Sequence, residues 1–476
     1  MKALISKRAF VSVLFSLLVL LLCACGAAQT APATETAPAT GTAVPEPTEE
    51  PAPKELTLGP LTITPETKSI SLDGTGVALE ELMALSGRID GVESISLGIT
   101  AGSLPQLYAV RDAFPNAKVS WQAELPGQIV DNTAEELDLT AAQDGDLKTI
   151  TDALAILPNV RTIQLAPEDG ATQLSFESLA AIAAAAPEAE LNCRFELFGQ
   201  TADWTTQELR YEKTPIGDEG IAAFRDALPY LRSLTLLRFK QCGIDDHDAM
   251  AALRADFPEK HVVWSIDIAG YPFMTDTTLI NDGDTNLLHD GNVELLRYMP
   301  DVLYLDIGHN HHLTNIEFVR NFPKLQVMIL TLTNIADISP LENCPDLEFL
   351  ECHSCQIGDL SPLADKEKLE YLNIANLPNV TDLSPLYGLK GLKIVRICGT
   401  TFTHITQADV DVLKEKLPDT FVSDYGGDPN SSGQWRYNTN GNKADPTERY
   451  ALLRQQMLYD LNWEQRLSNS PSGEEG

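Results

Sequence analysis

Three short segments decide the architecture: Ala336-Asp337-Ile338-Ser339-Pro340-Leu341, Gly358-Asp359-Leu360-Ser361-Pro362-Leu363 and Thr381-Asp382-Leu383-Ser384-Pro385-Leu386. Each carries the run D-[IL]-S-P-L, and successive copies stand 22 and 23 residues apart. Three copies in register are a poor fit to chance. Working outward, a common apolar frame surrounds them: apolar residues at 0, +3, +5 and +10, with a small or polar residue at +8. Val302, Leu305, Ile307 and Asn310 begin the series. Leu325, Met328, Leu330, Thr333 and Ile335 follow, then Leu347, Leu350, Cys352, Cys355 and Ile357. Leu369, Leu372 and Ile374 open a coil that reaches Val380 after one extra residue, and Leu392, Val395, Ile397, Thr400 and Phe402 close the run.

This frame is similar to the leucine-rich repeat L-x-x-L-x-L-x-x-N/C-x-L. With the D-x-S-P-L turns it resembles the bacterial, internalin-like repeats of 22 residues. Apolar residues at +3 and +5 point to one face of a short strand. No single coil buries its own apolar edge, so neighbouring coils must stack. The resemblance implies an α/β leucine-rich-repeat solenoid, with parallel strands on the concave face and helices or short turns on the convex face. It also implies recognition of a partner rather than catalysis.

Residues 56–300 follow a longer period. Pro115, Pro187 and Pro258 are 72 and 71 residues apart. Six residues after each stands Trp121, Cys193 or Trp264, and twelve after each stands Gly127, Gly199 or Gly270. Segments ending near prolines predict helices at 107–114, 147–157, 178–186, 220–228, 250–257 and 294–299. Alternating stretches such as Trp264-Ser265-Ile266-Asp267-Ile268 predict strands between them. We read this half as divergent leucine-rich coils in super-repeats of about 71 residues. The interval from Leu191 to Leu209 is too short for a helix and predicts an irregular or hairpin-like connection. Residues 301–424 are the regular repeats. In 425–476, Trp435 and a helix over Pro446–Leu461, with Tyr450, Leu453, Met457 and Leu461 on one face, predict a cap over the open end of the array, followed by a disordered tail.

The N-terminus sets the compartment. Lys2, Lys7 and Arg8 precede an apolar stretch of 14 residues, Ala9 to Leu22, short for a membrane span and right for a signal peptide. Leu22-Cys23-Ala24-Cys25 resembles the lipobox of bacterial lipoproteins. The resemblance implies removal of residues 1–24 and lipid attachment at Cys25, with Cys23 as a competing position. Residues 25–55 are almost only Ala, Thr, Pro and Glu, which predicts a disordered tether reaching at most about 90 Å. The expected location is the extracytoplasmic face of the cell membrane, held by the lipid alone.

The chain has 34 basic and 68 acidic residues, a formal charge of −34. Such a surface repels phosphate backbones and argues against nucleic-acid binding. At 43% hydrophobic, the 476 residues can bury a large core. Cys193, Cys242, Cys344, Cys352, Cys355 and Cys398 remain beyond the leader. Cys352-His353-Ser354-Cys355 has redox or zinc spacing, but its cysteines fall on the +5 core and +8 turn positions, and a second C-x-x-C is missing. Packing is the favoured reading, with a disulfide or metal as alternatives. His309, His311 and His312 cluster at a bend where metal binding is the minority reading. Asp282-Gly283-Asp284-Thr285-Asn286 starts like a calcium loop but has Leu287 and Val293 where Gly and Glu are needed. No hydrolase, zincin, phosphate-loop or dinucleotide motif occurs. No cofactor, metal or catalytic residue is expected.

If +3 and +5 are buried, the residues between them face the concave side. One column reads Tyr304, Val327, Phe349, Tyr371, Ile394; the next Asp306, Ile329, Glu351, Asn373, Arg396; the third Gly308, Thr331, His353, Ala375, Cys398. Five rungs at ~4.8 Å make an exposed apolar-aromatic stripe about 19 Å long. Such stripes on a monomer mark interaction sites. Tyr304, Asp306, Phe349, Glu351, His353, Tyr371, Asn373 and Arg396 are the expected contacts for a protein, peptide or glycan outside the cell. The competing reading has the C-terminal segment covering the stripe. The rival functions are a solute-binding lipoprotein of a transporter, an architectural envelope protein and, least, an enzyme.

Overall fold

The computed structural model describes residues 55–459, apart from 101, 282–285, 398–403, 425 and 440 and the side chains of 456–459. The leader, Cys23, Cys25, the tether up to Lys54, most of the calcium-like loop, Cys398 and Leu461 lie outside these residues.

An antiparallel hairpin of β1 (Leu56–Leu58) and β2 (Leu61–Ile63) opens the fold, with Leu58 and Ile63 in the main core. Three units of one design follow. The first runs β3 (Ser69–Ser71), α1 (Leu79–Met83), β4 (Ser94–Ile99), α2 (Leu104–Ala113) and β5 (Lys118–Leu125), then doubles back as β6 (Gln128–Asp131). The second runs β7 (Glu136–Asp138), α3 (Leu147–Leu154), β8 (Thr162–Gln164), α4 (Phe176–Ala185), β9 (Glu190–Asn192), β10 (Arg194–Leu197) and β11 (Gln200–Asp203). The third runs β12 (Glu208–Glu212), α5 (Ile221–Ala227), β13 (Leu236–Lys240), α6 (His247–Asp256), β14 (His261–Ile268) and β15 (Tyr271–Met274). Within each unit the strands joined by helices are parallel, and an antiparallel hairpin closes the unit.

The period of about 71 residues now has physical content. Pro115, Pro187 and Pro258 end α2, α4 and α6, because a proline pushes its predecessor out of the helical region. Phe114, Ala186 and Phe257 accordingly share one conformation, with φ of −126°, −133° and −128° and ψ of 67°, 70° and 65°. Gly127, Gly199 and Gly270 occupy the second position of the hairpin turns at φ of 75°, 82° and 86°, a region closed to most side chains. The short interval before Leu209 is therefore a hairpin, and so is its counterpart in every unit. Trp121 and Trp264 are fully buried under these hairpins, and their indole N–H groups donate to the Ile156 carbonyl at 2.8 Å and to His247 Nδ1 at 3.2 Å. α1 was not expected, and the expected helices differ at their ends. The first begins three residues earlier than predicted, α3 stops at Leu154, and 294–298 is a 3-10 turn.

The regular repeats form one seven-stranded parallel sheet in chain order: β16 (Leu279–Asn281), β17 (Tyr304–Asp306), β18 (Val327–Ile329), β19 (Phe349–Glu351), β20 (Tyr371–Asn373), β21 (Ile394–Arg396) and β22 (Phe421–Ser423). The short helix α7 (Asp290–Val293) follows the first strand, and α8 (Gln407–Lys416) precedes the last. A final helix, α9 (Glu448–Tyr459), comes after the sheet. Leu305, Met328, Leu350, Leu372 and Val395 pair without a shift, and all are fully buried.

The D-x-S-P-L runs make the opposite side of three coils. Asp337, Asp359 and Asp382 each accept the backbone N–H of the serine two residues on at 2.8 Å, which starts a 3-10 turn with proline at its head. The closing leucines Leu341, Leu363 and Leu386 are fully buried. The strand side turns through a left-handed residue seven places into the first four coils: His309, Leu332, Ser354 and Asn376, at φ of 62°, 59°, 59° and 54°. In the first three of these coils the next residue satisfies the bend; in the fourth it is the buried Leu377. Asn310 donates to the Ile307 and Gly308 carbonyls and accepts from the Leu288 N–H at 2.8 Å. Thr333 donates to the Leu330 carbonyl, and the Cys355 thiol lies 3.1 Å from the same oxygen.

Asn310→Ala strands those three backbone groups in a dry interior. Its unfolding free energy should fall by at least ~2 kcal/mol, read as a lower urea midpoint at unchanged m-value. A smaller loss would mean that water replaces the amide.

Candidate binding face of the seven-stranded sheet

In each three-residue strand the middle side chain enters the main core, and its two neighbours turn to the other face. One column there reads Leu279, Tyr304, Val327, Phe349, Tyr371, Ile394, Phe421; the other reads Asn281, Asp306, Ile329, Glu351, Asn373, Arg396, Ser423. The aromatic stripe of the sequence is thus assembled on one face.

That face does not stand open. The chain beyond β22, from Asp428 to Leu453, lies across it. Phe349, Glu351, His353, Asn373 and Arg396 are buried, and Tyr304, Asp306 and Tyr371 are half-buried. The expectation of solvent-exposed contacts is corrected accordingly. Leu279, Val327, Ile329, Phe349, Trp435 and Leu453 form an apolar cluster separate from the main core, with Tyr304, Tyr371, Ile394 and Tyr450 at its margin. The Trp435 ring packs on Phe349 with centroids 5.2 Å apart. Left bare, these rings would face water at a cost of about 25 cal/mol per Å². The expected cap is corrected too: Trp435 and α9 cover the strand face, while Phe421 on the last strand and Val412 on α8 remain exposed.

Polar contacts fix the segment's register. Glu351 is fully buried and accepts from Trp435 Nε1 at 2.8 Å and from Arg436 Nε at 3.3 Å, while Arg436 Nη2 grips its other oxygen. Burial works against the Arg436 charge, but the Glu351 carboxylate overrides it and raises the guanidinium pKa. His353 Nε2 lies 2.7 Å from Asn430 Oδ1, and Asn373 donates to the Pro429 carbonyl. Arg396 donates to Ser423 Oγ at 3.0 Å, and that hydroxyl donates to the Gly433 carbonyl at 2.7 Å. Gly433 comes so close that a Cβ there would sit 2.2 Å from Ser423 Oγ and 2.3 Å from Arg396 Nη1. Arg449 lies over the rings of Tyr371 and Phe349, at 5.5 and 5.8 Å.

Trp435, Arg436, Asn430, Gly433 and Arg449 are absent from the predicted site. The one available signal was a Trp-Arg pair in an otherwise polar, turn-rich stretch. The strand faces of the first three units are different: Ser69, Ser71, Glu136, Asp138, Glu208, Arg210 and Glu212 stand exposed on them. Several of their charges pair locally, Arg210 with Glu208 and Lys240 with Glu212.

Other candidate chemistry does not converge. Cys193, Cys242, Cys344, Cys352 and Cys355 are buried free thiols, and burial raises the pKa of each, that of Cys344 to about 11. Among the described residues no three His, Cys, Asp or Glu side chains gather as metal ligands, and His311 and His312 point into solvent. Among the same residues no helix is long and apolar enough to cross a membrane. A cleft of about 390 Å³ beside Gln241, Asp245 and Asp267 holds His247, whose ring already accepts the Trp264 N–H.

No protein-family model matches the chain, and no curated protein matches it. Among solved structures it is similar to an internalin (inlF) of Listeria monocytogenes, at 15% identity over 74% of this chain and 91% of that one, with a TM-score of 0.28. It is similar to the functional domain of InlJ from the same organism, at 12% identity over 65% and 54%, with a TM-score of 0.27. A leucine-rich-repeat protein of Leptospira interrogans aligns at 11% identity over 71% and 91%, with a TM-score of 0.24. The leucine-rich-repeat fold rests on the stacked coils themselves, not on these alignments.

Arg436→Ala leaves Glu351 without its counter-charge and should favour release of the segment by about 3–5 kcal/mol, whereas Glu351→Leu/Arg436→Leu should cost much less; hydrogen exchange at the segment's own amides compares the two variants. His353 gives a pH test. Burial depresses its pKa despite Glu351 at 3.7 Å. The unfolded imidazole takes up a proton near pH 6.5 that the folded one refuses. Stability held above that pH is therefore lost as pH falls below it. Thermal midpoints between pH 7.5 and 5.5 should drop more for the wild type than for His353→Gln.

Proposed function

We propose that the protein is a lipid-anchored leucine-rich-repeat scaffold on the outer side of a bacterial membrane, binding a protein partner along its strand faces and catalysing no reaction. One observation supports this most. The seven-stranded sheet presents a face shaped to hold polypeptide, because it holds Asp428–Leu453 through aromatic anchors and one buried Glu–Arg pair. Aromatic anchors and desolvated arginines are what carry protein–protein interfaces. The polar strand faces of the first three units stand open at rest and extend the surface toward the N-terminus.

The anchor rests on the leader and on Leu22-Cys23-Ala24-Cys25. The acidic tether after it supports a spacer that lifts the repeats off the bilayer.

Two measurements test the reading. Cys25→Ser should move the protein from the membrane fraction to the soluble one; retention would shift attachment to Cys23 or to an uncleaved leader. Surface cross-linking of the anchored protein should capture a discrete protein, and Arg210→Glu/Arg238→Glu/Lys240→Glu should reduce that product at least fivefold. Equal yields would remove the open strand face from the interface. Absence of any product would favour an architectural role.

A further inference from the structure

We propose that Asp428–Leu453 is a displaceable strap: it occupies the strand face of the repeats in place of a partner, and the partner that replaces it is a polypeptide presenting an aromatic residue followed by arginine. The proposal rests on the protein-binding reading above and names the chemistry of its partner.

Four observations carry it. The strap belongs to no repeat and joins β22 through Gly426 and Gly427, adjacent, exposed glycines, the second at φ 113°. The chain can pivot there without breaking a coil. The strap's apolar contacts form their own cluster, so its departure leaves the main core intact. Its chemistry converges on one carboxylate: Glu351 is fully buried and, among the described residues, engages donors from the strap and the nearby His353. Finally, the floor around Glu351 is Val327, Ile329 and Phe349, an apolar bed for an aromatic ring.

These facts also say how exchange works. An empty face would leave Glu351 without a counter-charge and the aromatic bed in water, so the face does not stay empty. A competitor must bring its own cation and its own ring. A neutral or acidic segment is rejected because it leaves the carboxylate unpaired. The strap, tethered by a short linker, competes at an effective concentration in the millimolar range. Displacement therefore requires a tight ligand or a high local concentration, as on a crowded membrane surface.

The test uses the full chain and a fluorescent peptide with the sequence of 428–456, followed by anisotropy. Trp435→Ala/Arg436→Ala weakens the strap and should bind the peptide at least tenfold more tightly than the wild type. Adding Glu351→Leu should abolish that gain, and a peptide carrying Ala at both positions should not bind. Far-UV circular dichroism and the main thermal transition should stay unchanged. The proposal is overturned if the strap variant binds no better than the wild type. It is equally overturned if the two substitutions abolish the main transition, because the strap would then be part of the core. Either failure with cross-linking still sensitive to Arg210, Arg238 and Lys240 leaves the scaffold reading standing.

Discussion

One constraint governs the regular half of the molecule: a single buried side chain per coil must stack on its neighbour at the spacing of a parallel sheet. Ile280, Leu305, Met328, Leu350, Leu372, Val395 and Val422 form that spine. Because strand side chains alternate, the spine dictates everything on the other face. The residues on either side of each spine position must form two columns there. In this chain one column is apolar and aromatic, so the face needs a cover. The D-x-S-P-L turns of three coils and the left-handed residue at the end of the strand, followed in three coils by Asn310, Thr333 or Cys355, let the chain return in register.

The cover is not a simple apolar plug. A buried glutamate, a histidine held neutral by burial and an asparagine all take partners from the segment above them. Such groups add little to net stability, since desolvation offsets most of their attraction. They do add selectivity, because each mismatch leaves a buried polar atom unpaired. A face meant only to be closed would be better served by leucine at position 351. The buried Glu351 instead makes the cover depend on the Arg436 counter-charge.

The first three units solve the same stacking problem with longer coils. Helices replace the 3-10 turns, and a hairpin after every third strand interrupts the sheet. Their strand faces carry mostly serine, threonine and charged residues, which water covers adequately; in the third unit Val263 is buried there and Asp276 pairs with Arg238. The two halves thus share a core and differ in surface. One sheet face is dry and occupied, and the others are largely polar, with exposed charges.

The coil period, the five strands from Tyr304 to Arg396, the buried frame residues and the thiol at a turn position were legible in the sequence, because they follow from local periodicity and from the backbone limits of proline and glycine; the flanking strands Leu279–Asn281 and Phe421–Ser423 were not. The identical conformations of Phe114, Ala186 and Phe257 are the physical form of a spacing visible in the letters alone. The columns of the strand face were legible too, down to Phe349 beside Glu351. Their occupancy was not. Trp435 lies 84 residues from Glu351 along the chain, and no periodicity links the two. Only the tertiary structure decided that the segment after the last coil folds back over the strand face instead of closing the end, because docking there buries the aromatic column and supplies the charge that an enclosed carboxylate requires.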